Sequence, residues 1–167
     1  MLNWELIEFP MQSSFPKNYT EANETLVLMG SEAHSNQLNF FGGKREQQDV
    51  DCEHTAAREF HEESNSLANL FQIYATLRLS PKRMVFWHKF GKYALHLVEF
   101  HDEKVLEWPT LFKNAPTTSE SDMEYICWVN LNEILDCESP KMKQRFSPLV
   151  VSTINFRKFK DYLINNL

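Results

Sequence analysis

Apolar residues fall in short clusters along the chain, and their spacing predicts strands interleaved with helices. Thr25–Gly30 (TLVLMG) is an apolar run of strand length, and Gln37–Phe41 leads further apolar residues into the glycine pair Gly42-Gly43. From about Cys52 to Ser64 the spacing becomes helical. With Glu59 set at zero and 100° per residue, Ala56, Phe60 and Leu67 fall between about 60° and 100°, a core face. Small Ala56 and Ala57 let this helix approach a sheet closely. Asp51, or Asp49 just before it, can cap the N-terminus and suits the positive end of the helix dipole. Phe71–Leu79 (FQIYATLRL) is predicted as a strand from its aromatic and β-branched content. Val85–Phe90 and Lys92–Phe100 flank Gly91 as a hairpin, and Glu124–Val129 (EYICWV) is a further strand. A short helix starts at Leu131–Leu135, and a closing helix runs from about Pro148 to Leu167. Residues 10–23 and 113–122 are looser tracts. Together these elements predict an α/β sandwich, helices packed on a mixed sheet.

The other face of the helix at 52–64 carries chemistry. On the same wheel Glu63 lies near 40° and Glu62 near 300°, so Glu59, Glu62 and Glu63 share one side. Like charges at these spacings repel by a few tenths of a kcal/mol per pair. A divalent cation offsets that repulsion, and hard Mg²⁺ or Mn²⁺ prefers carboxylate and water oxygens. Arg58, four residues before Glu62, can orient that carboxylate. Most charge runs are solvated faces. The Gly-Gly loop ahead of this helix and the intervening arginine favour the cation.

These residues resemble the signature of the Nudix hydrolase family, in which a glycine precedes a helix carrying Arg-Glu, an apolar residue and Glu-Glu. Gly43, Arg58, Glu59, Phe60, Glu62 and Glu63 match it. The chain departs from the pattern in three places. Its spacing from Gly43 to Arg58 is one residue longer, Asp49 stands where the pattern has Glu, and Asn65-Ser66 replaces the closing glycine and the apolar residue after it. Asparagine tolerates a left-handed helix end better than other non-glycine residues, which suits Asn65 to that place.

The resemblance implies a Nudix-like α/β/α sandwich with a loop-helix-loop catalytic motif, spanning 24–167 after an N-terminal extension at 1–23. It implies Mg²⁺ or Mn²⁺ held by Glu59, Glu62 and Glu63, with the carbonyl of Gly43 completing the shell and Glu46 as a further ligand. Catalytic roles fall to Arg58 and to a general base drawn from Glu62, Glu63, Glu124 or Glu120. Lys44 and Arg45, beside the glycine turn, are candidates for phosphate neutralisation, against the alternative of ordinary exposed charges. Phe86 and Trp87, with Phe90 and Tyr93, are candidates for stacking on a base, against the alternative of core. Lys82, Arg83, Lys89 and Lys92 read better as a solvated basic edge that discourages strand pairing. His54, His61, His88, His96 and His101 read as packing or surface residues.

Composition narrows the function. The 167 residues suit one domain with a sizeable core. A net charge of −6 argues against general nucleic-acid affinity and is compatible with a small phosphorylated ligand. The resemblance adds capped RNA, which the acidic balance disfavours unless a local basic patch overrides it. No apolar run reaches transmembrane length, the N-terminus lacks secretory features, and Cys52, Cys127 and Cys137 have no CxxC spacing. Reduced thiols in a cytoplasmic setting are expected. The resemblance leaves a homodimer open. Three classes follow: a metal-dependent hydrolase splitting a nucleoside diphosphate from a linked group, a Nudix-like module that binds such a ligand without turnover, and a structural domain. Clustered carboxylates favour the first and leave the third without an explanation for their cost.

Overall fold

A computed structural model describes residues 3–5, 8–10, 25–81, 83–88, 92–99, 103–116 and 123–166. Strand β3 (Thr25–Glu32) organises one sheet. Along one edge it pairs antiparallel with β7 (Met123–Asn130), in register Val27 to Val129 and Met29 to Cys127. Its other edge takes β2 (Glu8–Pro10) and β4 (Leu38–Asn39). A second sheet has the order β1-β6-β5. There β5 (Met84–His88) and β6 (Tyr93–Leu97) form the expected antiparallel hairpin, and β1 (Asn3–Glu5) lies parallel to β6. The sheets are therefore mixed. β1 and β2 fall within the segment 1–23, and each pairs with a strand of the domain.

Alternation along these strands builds two cores. Leu28, Ala94 and Ile126 point to one side, where α1 (Cys52–Glu63), α2 (Leu70–Leu79) and α3 (Trp108–Asn114) cover them with Ala56, Ala57, Phe60, Ile73, Leu77 and Trp108. Val27, Met29, Leu95 and Val129 point to the other. There α4 (Leu131–Leu135), α5 (Pro148–Ile154) and α6 (Arg157–Asn166) supply Ile134, Val150, Ile154 and Phe159. The result is the α/β/α sandwich. Ala57 is fully buried, as close helix-on-sheet packing requires. Phe60 fixes α1 to that sheet side through an edge contact with Phe41 at 4.9 Å and a tilted one with Trp108 at 5.8 Å.

Two predicted elements differ. Residues 71–79 are helix α2, not a strand. Leu70, Ile73, Tyr74 and Leu77 sit at helical spacing, Ile73 and Leu77 are buried, and Asn69 caps the helix by accepting from the N–H of Phe71 and Gln72. That periodicity outweighs the strand-like composition. The predicted closing helix is two helices, broken at Asn155-Phe156. The break lets Phe156 and Phe159 both pack on Phe86, at 5.1 and 4.9 Å. Helix α3 and the 3-10 turn before it (Glu103–Glu107) have no counterpart among the predicted elements.

The helical assignment of 70–79 makes a direct prediction. A strand would bury Phe71 with Ile73 and Leu77, whereas here Phe71 is 75% exposed. Phe71→Ser is expected to change unfolding free energy by less than about 0.5 kcal/mol, and Leu77→Ala to cost about 2–5 kcal/mol. Denaturant titration of both variants checks this, and a large loss in Phe71→Ser would contradict it.

Candidate functional site

The site is built where the loop at 42–51 folds back on α1. Asp51 caps α1, its Oδ1 accepting from the His54 N–H at 2.8 Å. Before it, Val50 is 71% exposed and Asp49 is buried. Val50 and Asp51 are the non-helical positions between Asp49 and α1. A turn at 46–49 closes through the Asp49 N–H on the Glu46 carbonyl at 3.2 Å. In the other direction, the Glu46 N–H donates to Asp49 Oδ2 at 2.8 Å. Arg45 is exposed, and its guanidinium is engaged by the loop. Its Nη2 donates to the carbonyls of Asp49 and Val50, both at 3.2 Å, and holds the turn.

Arg58 is the hub. Nε and Nη2 donate to the two oxygens of Asp49 in a fork, each at 3.1 Å. Nη1 donates to Glu62 Oε2 at 2.9 Å, and Nη2 also reaches Glu59 Oε1 at 2.8 Å and the Lys44 carbonyl at 2.9 Å. Glu46 lies 3.9 Å from Nη1. Arg58 is only 8% exposed, so burial opposes its charge, yet its carboxylate partners hold the guanidinium still more firmly protonated than usual.

The glycine pair receives the remaining carboxylates. The Gly42 N–H, on a residue with φ of 148°, donates to Glu63 Oε2 at 2.6 Å. At Gly43 a Cβ would stand 2.2 Å from Glu59 Oε2, so the Glu59 carboxylate occupies the space a side chain would need. All three glutamates of the acidic face therefore meet the glycine loop or its arginine. Among the described residues no three His, Cys, Asp or Glu side chains converge as a metal-holding cluster. Arg58 and the Gly42 N–H engage the oxygens such a cluster would use.

Buried Asp49 and half-buried Glu59 respond to their surroundings in opposite senses. Burial raises the Asp49 carboxyl, but the Arg58 fork and the Glu46 N–H outweigh it and hold it well below the usual range. Its stabilising contribution is thus in place above the ordinary Asp value of 3.8 and is lost as pH falls through the depressed folded-state value. For Glu59 burial wins over Arg58 and the carboxyl is raised. Folding therefore favours its protonated form as pH falls.

Helix α1 ends on Asn65 as the resemblance suggests. Asn65 and Ser66 have φ of 57° and 61°, and the bonds Ser66 N–H to His61 C=O (2.7 Å) and Asn65 N–H to Glu62 C=O (3.1 Å) form a Schellman motif. The Asn65 amide also donates to the Pro116 carbonyl at 2.9 Å, a contact glycine cannot make.

Other expected site residues lie elsewhere. Phe86 is partly buried on the sheet face opposite α1, its ring engaged by Phe156 and Phe159. Trp87, on the alternate face of β5, is 45% exposed. Tyr93 is core, stacked on His88 at 4.7 Å. Glu124 is exposed at the start of β7. Lys44 contributes its carbonyl to Arg58, and its side chain is exposed. Lys82, Lys89, Phe90, His101 and Glu120 lie outside the described residues. His96 is a packing residue, with burial bringing its imidazole down to about 4. Cys52, Cys127 and Cys137 are free thiols. No described helix is long and apolar enough to cross a membrane. Sequence reasoning missed the anchoring role of Asp49 and the placement of His54 against it. The available signal was the i, i+4 spacing of His54 and Arg58, which puts both over one acid.

Residues 18–150 match the model of the NUDIX domain, and the chain belongs to that family. Family members are in general metal-dependent pyrophosphohydrolases that use Mg²⁺ or Mn²⁺ on small phosphorylated, nucleotide-like substrates. No curated protein matches the chain.

The hub predicts a steep dependence on Arg58. Arg58→Ala leaves Asp49, whose side chain has no exposed area, as a buried charge without its guanidinium partner. A loss of about 3–5 kcal/mol in unfolding free energy is expected. Denaturant unfolding at neutral pH measures it, and a loss below about 1 kcal/mol would show that the loop is held by something else.

Proposed function

We propose that this chain hydrolyses the phosphoanhydride of a nucleoside diphosphate linked to another group, such as a nucleotide sugar, ADP-ribose or a dinucleoside polyphosphate, with Mg²⁺ or Mn²⁺ as cofactor. The observation that carries the reading is the meeting of Glu59, Glu62 and Glu63 with the Gly42-Gly43 loop through Gly43 packing, Arg58 and the Gly42 N–H. Carboxylate and carbonyl oxygens are the donors hard divalent cations take. Glu59, Glu62 and Glu63, with the carbonyl of Gly43, would hold the cation.

When bound, that cation neutralises diphosphate charge and acidifies a coordinated water. The protein's own part is positional. Asp49 locks the Arg58 guanidinium, which in turn fixes the rotamer of Glu62 and restrains Glu59. Glu62 or Glu63 takes the proton from the attacking water, with Glu124 as the alternative base from the start of β7. Lys44 is the exposed cation of the glycine loop best suited to a phosphate, since Arg45 is turned onto the loop carbonyls.

A ligand-binding module without turnover is the second reading. The contact of Arg58 with both Glu59 and Glu62 favours it, because a cation must compete with the guanidinium for those oxygens.

Product release against a panel of nucleotide sugars, ADP-ribose, NADH, diadenosine polyphosphates, nucleoside triphosphates, a diphosphoinositol and capped RNA separates the two. Run with Mg²⁺, Mn²⁺ or chelator, it should show metal-dependent cleavage of one class. Glu63→Gln should lower that turnover by about 10²–10⁴-fold while the fold is retained. Unchanged activity and metal dependence in the variant would reject the ligand assignment, and binding without cleavage across the panel would favour the module.

A further inference from the structure

Helix α2 braces the loop through a set of side chains that the hydrolase reading does not use. Tyr74 Oη donates to Asp51 Oδ2 at 2.8 Å, and Arg78 Nη1 reaches the same oxygen at 3.3 Å and Tyr74 Oη at 2.9 Å. The Arg78 guanidinium also lies 5.6 Å from the Tyr74 ring centroid. The Tyr74 ring then meets the imidazole of His54 edge-on, at 5.3 Å and 89°. His54 Nδ1 is 3.1 Å from Asp49 Oδ1, the oxygen that also accepts from Arg58 Nε at 3.1 Å.

This arrangement fixes the imidazole's chemistry. An ionised Asp49 carboxylate is acceptor-only, so Nδ1 carries the hydrogen whether the ring is neutral or cationic. Tyr74 on one side and Asp49 on the other flank the His54 imidazole. Asp49 in turn has its two oxygens held by the Glu46 N–H, Arg58 and His54, with the Thr55 side chain of α1 as a further hydrogen-bond partner. Without His54, Asp49 Oδ1 keeps only Arg58 of the two ring and guanidinium donors that share it, and rotation of the short side chain is resisted from the α1 side by Arg58 and Thr55. The Arg58 fork would then loosen, and with it the hold on Glu59 and Glu62.

We infer that His54 is a positioning residue, wedged by Tyr74 of α2 against Asp49, that sets the Arg58 orientation on which the carboxylate site depends. Its effect on metal and turnover rests on the hydrolase reading above. Its effect on Arg58 does not.

The test uses the full chain and two independent readouts. The first is hydrogen exchange of the Arg58 Nε–H by NMR without metal. The second is Mn²⁺ affinity by electron paramagnetic resonance. His54→Ala should speed Arg58 Nε–H exchange at least tenfold and weaken Mn²⁺ binding by about 10–100-fold, as loss of an outer-shell partner does. His54→Asn puts an amide N–H near the position of Nδ1 and should restore both. His54→Gln, whose amide matches Nε2 instead, should not. Should the alanine variant fail to fold, the Asn and Gln pair carries the same comparison. Unchanged Arg58 exchange in His54→Ala, or equal behaviour of Asn and Gln, would overturn the inference. Absence of Mn²⁺ binding in the unmodified protein would count against the hydrolase reading, while the exchange data would still decide the role of His54.

Discussion

One guanidinium surrounded by carboxylates is the constraint on which the site depends. Arg58 is almost wholly enclosed, with both oxygens of Asp49, one of Glu59 and one of Glu62 within hydrogen-bonding distance. A buried charge is tolerated only when its hydrogen-bonding sites are matched, and the five N–H groups of arginine require a specific set of acceptors. Loop 42–51 has its shape because it supplies them: the Asp49 carboxylate through a turn at 46–49 and the Lys44 carbonyl beside the glycines. The same arginine that stabilises the loop aims the acidic residues. Stability and site geometry are therefore one problem here, and a substitution at the hub changes both.

The sandwich makes that hub rigid. Helix α1 cannot slide, because Ala57 and Phe60 are packed on the sheet side of the helix while its charged side faces the loop. Its two ends are fixed by different means: Asp51 at the start, shared with Tyr74 and Arg78 of α2, and the Asn65 left-handed end, tied to Pro116 after α3. The first-turn brace and the last-turn anchor come from separate parts of the chain. Between them they hold the three glutamates over the glycine pair.

Local pattern carried much of this and tertiary proximity the rest. The acidic face of α1, its Asp51 cap, strand β3, the hairpin, β7 and the short α4 are written in spacing and capping residues, and each is present in the fold. Residues 70–79 were misleading because Ile, Tyr, Thr and Phe favour strands by composition while the buried positions Ile73 and Leu77 keep helical spacing. Helix α3 carried a comparable signal in Trp108 and Phe112, four apart and both buried, with Pro109 in its first turn. Phe86 and Trp87 were equivalent as aromatic residues in sequence. Which of them entered the core was decided by the side of the sheet that α5 and α6 cover. The i, i+4 spacing of His54 and Arg58 marked a shared face, but which acid they meet was decided by the loop folding back on α1.

The most direct test of the account is anomalous diffraction at the manganese edge from crystals equilibrated with Mn²⁺. The account predicts a peak beside Gly43, ligated by oxygens of Glu59, Glu62 and Glu63, with Arg58 retaining its fork on Asp49. A peak away from these three carboxylates, or saturating Mn²⁺ with none among them, would contradict it.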